Sequence, residues 1–167
     1  ASNNTALGRS ALFANTTASD NVAVGNGAML ANTTGTQNTA LGTNTLDANT
    51  TASFNTALGY QALGSNTTGA QNTAVGRSAM ITSTEGNNNV AVGMNSLTTS
   101  TTADNTVAIG HSALAACTTG DSNVAVGRSA LGSNTTASNN VAVGDLALNQ
   151  NTTGDSVCEV GALALFQ

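Results

Sequence analysis

Few side chains in this sequence could do chemistry, and their spacing limits each of them. His111 is the only histidine. To act as a base, a metal ligand or a member of a triad it needs a partner, and neither Ser112 nor Asp121 carries a motif around it, so it reads as a solvated corner residue. Asp104, Asp121 and Asp155 recur at one spacing, as calcium ligands on a repeat would. Ser138 breaks that series and the glycine-rich nonapeptide of calcium-binding β-rolls is missing, so neither a metal site nor a cofactor is expected. Arg9, Arg77 and Arg128 are the only cationic side chains besides the histidine. Three arginines cannot build the basic surface that nucleic acid demands.

Bulk composition points the same way. Charged residues are 7% of the 167 and aromatics 2%, with no Pro, Trp or Lys; an ordinary enzyme domain is about a quarter charged. No enzymatic activity is expected. No apolar run is long enough to span a bilayer, and no basic segment leads into an apolar one as in a secretory signal. The chain starts with Ala and reads as a mature piece, or an excised segment, of something longer. Asn, Thr, Ser and Gly dominate, as in disordered chains, yet 40% of residues are hydrophobic and they fall on a strict period, which argues for order.

That period is 17 residues. Glycine recurs at Gly8, Gly25, Gly42, Gly59, Gly76, Gly93, Gly110, Gly127, Gly144 and Gly161 without insertion or deletion, so residues 1–167 form one repeat domain of ten glycine-marked coils. One unit reads N-[TV]-A-[LV]-G-x-x-A-L-x-x-N-T-T-[AG]-x-x from Asn4. Asn21, Asn38, Asn55 and Asn72 show the position four before glycine, where only Thr106 and Val157 depart. Leu12, Leu63 and Leu131 show the position four after it, always Leu or Met, as far as Leu165.

A unit so short, rich in Gly, Asn-Thr-Thr and β-branched residues, has little room for a helix. N-[TV]-A-[LV]-G reads as a strand ending at a residue of positive φ, A-L-x-x as a second strand, and N-T-T-[AG] as a turn. No unit can bury its own leucine and valine, so each must stack on its neighbours with like strands in parallel. The expected fold is all-β: a parallel β-solenoid, or β-roll, roughly 50 Å long at about 4.8 Å per coil. Leucines and valines are expected inside, with asparagine amides bonding along the rod axis. Such a thin core leaves stability marginal.

The alanines offer a remedy. Strand alternation sets them opposite the branched aliphatics. With the aliphatics inside, Ala23, Ala40, Ala57, Ala74, Ala91, Ala125 and Ala142 form an outer methyl strip, a candidate face for association with further copies. The opposite assignment, alanine in and valine out, makes that strip more apolar still.

The residue after each glycine varies most: Arg9, Tyr60, Arg77, His111 and Arg128 are candidate surface contacts on a fixed frame. Solvated corners free to vary are the simpler reading. Cys117 takes a turn-asparagine position and Cys158 a strand position, more than two coils apart, about 10 Å along the rod and too far for an unstrained disulfide. Two free thiols are expected, or pairing between chains. Asn15-Thr16-Thr17 and its copies satisfy a glycosylation pattern that turn geometry already explains. Thr16 and Thr17 also start two threonine ladders of the kind found on ice-binding solenoids, but such a face wants alternating T-x-T, and adjacent threonines point apart if extended.

Segments such as Asn21-Val22-Ala23-Val24-Gly25 and Asn140-Val141-Ala142-Val143-Gly144 resemble the head repeat of YadA-like trimeric autotransporter adhesins. They are also similar to repeats of bacteriophage and viral tail fibres. The likeness covers nearly the whole chain and rests on five positions of the 17. It implies a left-handed parallel β-roll, three chains side by side, on an extracellular appendage or virion fibre that attaches to a cell surface or matrix. The anchor and coiled-coil stalk of an autotransporter are not in this sequence.

The expected function is therefore a structural and adhesive fibre segment, extracellular, whose partner is itself, with no nucleic acid and no membrane insertion in this segment. A self-assembling end-to-end filament and an ice-binding solenoid are the alternatives. Val157 and Glu159 break the repeat in the last coil and hint at termination, whereas Ala164, Leu165 and Phe166 look like further strand.

Overall fold

A computed structural model describes residues 2–163; the expected strand at Ala164, Leu165 and Phe166 lies outside them. Ten strands of three residues follow the repeat: β1 Thr5–Leu7, β2 Val22–Val24, β3 Thr39–Leu41, β4 Thr56–Leu58, β5 Thr73–Val75, β6 Val90–Val92, β7 Val107–Ile109, β8 Val124–Val126, β9 Val141–Val143 and β10 Cys158–Val160. They form one parallel sheet in chain order. Ala6 lies opposite Ala23, and the same one-coil step holds through to Glu159 opposite Ala142. The chain is a β-solenoid of about nine turns.

Each strand ends where its glycine turns the backbone. Gly59 has φ 131°, and a Cβ there would stand 2.6 Å from the carbonyl oxygen of Gly76 in the next coil. Both the conformation and the stacking distance exclude a side chain, which is why the period is written in glycine.

The A-L-x-x segment expected as a second strand is a turn instead. Its Leu or Met, from Leu12 to Leu148, has φ between 48° and 52°. Two further non-glycine positions per coil are left-handed in most coils, exemplified by Gln61 (φ 55°) and Gln71 (φ 61°). A loop that closes in 17 residues needs corners more than it needs strands. Left-handed backbone is a genuine outlier for β-branched residues, and this accounts for a buried row that holds Leu and Met but never Val or Ile.

The expected orientation of the strand is corrected. Ala23, Ala40, Ala57, Ala74, Ala91, Ala125 and Ala142 are fully buried inside the coil and form no outer strip, while the flanking residues point out. Asparagine sets this parity. Asn21 must face inward for its Nδ2 to reach the Gly35 carbonyl, 14 residues on and 2.9 Å away, and alternation then turns Ala23 inward too. The interior is packed by the Leu/Met column, the strand alanines and a second small row including Ala28, Ala62 and Ala79. Strand valines and leucines, expected to share the core, do not.

Candidate functional surface

Facing outward from the strands are two columns one residue to either side of the buried alanine. The first runs Val22, Thr39, Thr56, Thr73, then valine from Val90 to Val141; the second holds Val24, Leu41, Leu58, Val75, Val92, Ile109, Val126 and Val143. Leu41 is 44% exposed and Leu58 42%. Rigidity comes from the ladder beneath: Asn38 N–H donates to Asn21 Oδ1 and Asn55 N–H to Asn38 Oδ1, each at 2.9 Å. A flat apolar strip on an inflexible backbone can bind another flat apolar surface without losing much entropy of its own.

The corner row after each glycine does reach solvent. Arg9, Tyr60, Arg77, His111 and Arg128 are all exposed on one edge of the rod. Two side-chain contacts link its members: Arg128 Nη2 lies 2.8 Å from Asp145 Oδ2, and Arg77 Nη1 lies 4.0 Å from Met94 Sδ. An exposed pair of this kind adds little stability. Among the described residues no group of three metal-ligating side chains comes together.

The aspartate row has a structural task. Asn87 N–H donates to Asp104 Oδ1 at 2.6 Å, Asp104 N–H to Asp121 Oδ1 at 2.8 Å, and Ser138 N–H to Asp155 Oδ1 at 2.7 Å. Ser138, which breaks the acidic series, accepts from Asp121 N–H through its hydroxyl at 3.0 Å. Any short side chain with an acceptor oxygen suits this position, so its acidity carries no cation-binding signal.

Turn asparagines bond along the axis in one stretch: Asn49 Nδ2 donates to Asn32 Oδ1 at 2.9 Å and Asn66 Nδ2 to Asn49 Oδ1 at 3.2 Å. These amides are buried, so the glycosylation pattern they satisfy is inaccessible in the folded rod. Of the two threonine ladders, the first spends its hydroxyls on the next coil's carbonyls, as Thr33 Oγ1 does on Thr50 O at 3.0 Å. The first is half-buried between Thr33 and Thr135; the second, including Thr34, Thr51 and Thr68, is exposed, and Glu85 interrupts it. A single broken column is a poor match to a two-dimensional ice lattice.

Cys117 and Cys158 are both free. Cys117 is buried at a turn-asparagine position, its thiol donating to Gly120 O at 3.4 Å, and burial pushes its pKa up to about 11. Cys158 is exposed in the first outward column, in line with Val141. No helix among the described residues is long and apolar enough to cross a membrane.

Reasoning from sequence favoured the strand aliphatics as core, and it is the opposite assignment, alanine in and valine out, that the structure adopts. The signal was present, because Asn21 and Ala23 share parity and the asparagine amide has no outer partner to bond.

Fold and surface together define a β-solenoid repeat protein whose strands turn a column of branched aliphatics outward. Compared with protein-family models, curated proteins and solved structures, the chain matches none.

Proposed function

We propose that this chain is a structural segment of an extracellular adhesive fibre, in which three copies pack side by side through the outward strand columns. The observation that carries the reading is the outward column of branched aliphatics, unbroken from Val24 in β2 to Val143 in β9, on a face where globular proteins place polar residues. Two residues of width and eight coils of length give a flat footprint of only about 250 Å², well below the roughly 800 Å² per partner of a stable pair. A strip that faces a three-fold axis meets two neighbours instead of one, and the rows beside it, with Tyr60 and Met94 exposed, add to the contact. The likeness to adhesin and tail-fibre repeats supplies the number three and the surface location. The rod then acts as a spacer, and its variable corner row is the part that can meet a receptor.

Sedimentation velocity of the native chain and of a Val90→Lys/Val124→Lys variant tests this. The native chain is expected at three times the monomer mass and the variant at the monomer mass with an unchanged circular dichroism spectrum. A native chain that stays monomeric at tens of micromolar overturns the reading.

A further inference from the structure

The first and last described coils are chemically different. At the β1 edge Asn4, Ala6 and Gly8 are the repeat's own residues, and Asn4 already makes the usual cross-coil bond, Nδ2 to Ala18 O at 2.9 Å. At the β10 edge the last coil receives what its neighbour offers: Val157 N–H donates to Asn140 Oδ1 at 2.8 Å, and Gly161 N–H to Val143 O at 2.8 Å. It does not pass the pattern on. Val157 stands where an asparagine would present Oδ1 to the next backbone N–H. Glu159, paired in register with Ala142, stands in a column where β1 to β9 hold only alanine.

We infer that Val157 and Glu159 form a stop that closes the β10 edge to another coil, while the β1 edge, whose residues follow the repeat, carries no such block. Alternation points Glu159 toward the axis. A coil added beyond β10 would bury that carboxylate over the alanine column and leave its own inward N–H without an acceptor, both of which oppose stacking. An inward charge near an exposed strand is a known defence against edge-to-edge pairing. The stop acts along the rod, so it is independent of lateral packing and speaks against the end-to-end filament.

The test is rod length by negative-stain microscopy, which reads end-to-end joining whether or not rods also pair laterally. Val157→Asn/Glu159→Ala restores residues that other coils carry and so should fold. The native chain is expected at a single length, and the double variant at multiples of it. Adding Ala6→Glu, which places the same charge on the β1 edge, should return the length to the native value; Glu159→Ala alone should give a minority of doubled rods. A double variant no longer than the native chain, or a native chain that already forms end-to-end polymers, overturns the inference.

Discussion

The backbone N–H of Asn72 donates to Oδ1 of Asn55 at 2.9 Å, and Nδ2 of the same Asn55 amide donates to the Gly69 carbonyl, also at 2.9 Å. One side chain thus ties a coil to its successor and braces its own coil from within. Both bonds are buried; their loss strands the Asn72 N–H away from water, while the Gly69 carbonyl keeps its bond from Asn66 Nδ2 at 2.9 Å.

Asn55→Ala should therefore destabilise the rod by about 2–4 kcal/mol, one stranded buried donor together with one lost hydrogen bond. Urea denaturation followed by circular dichroism checks it. Thr106 gives the converse case. Its hydroxyl accepts from Asn123 N–H at only 3.4 Å, so Thr106→Asn should stabilise by about 1 kcal/mol. A loss of stability on that change would contradict the bracing role.

Gly59→Ala meets both the left-handed backbone and the Gly76 carbonyl, and a loss of more than about 3 kcal/mol is expected. Gly64 is the control: an added Cβ would come no closer than 3.3 Å, to Gln61 O. Gly64→Ala should change the urea midpoint little.

At Leu63, with φ 51° and full burial, shape matters beyond volume. Leu63→Met is expected to cost less than about 1.5 kcal/mol. Leu63→Val should cost about 2–4 kcal/mol, because it combines a lost methylene with a β-branched residue in the left-handed region. Equal midpoints for the two variants would show that backbone conformation is not the constraint.

The thiols should separate cleanly. Cys158 is exposed and Cys117 buried, with a pKa pushed up to about 11. Since the thiolate is the reactive form, a chromogenic disulfide reagent at pH 8 should titrate one thiol per folded chain and two after unfolding. Two thiols reacting at one rate in the folded protein would place Cys117 outside the core.

Burial raises the pKa of Asp47 above its ordinary 3.8, and hydrogen bonds from its own and the Ala48 backbone offset this only in part. The folded state then holds the proton more tightly than the unfolded one, so this carboxyl lowers stability as pH rises from 3.8 through its raised value. Asp47→Asn should be more stable than the native chain at pH 7, with the difference vanishing below pH 3.8. Melting temperatures across that range give the answer.

Coil length, parallel stacking and the glycine corner were legible in the sequence, because each is a repeated chemical requirement at a fixed phase. Inside and outside were harder. In a three-residue strand, Val22-Ala23-Val24 alternates equally well either way, and hydrophobicity alone favours burying valine. The deciding fact is the inward bond of Asn21 to Gly35, a contact between residues 14 apart in the chain that no local pattern displays. The left-handed leucines were hidden for another reason: Leu is a good strand or core residue almost anywhere, and only the absence of Val and Ile from that row betrays the backbone. The outer surface became visible once alanine was placed inside.

Every internal junction has the same step and nearly the same bonds, so girth and reach are governed by separate parts of the sequence. The Leu/Met and alanine columns dictate how thick the shaft is, and the tally of 17-residue units dictates how far it extends. Duplicating or excising a whole unit between Asn21 and Asn140 would change reach by about 4.8 Å and ask for no compensating substitution elsewhere. Such a shaft can be lengthened like a chain of identical links.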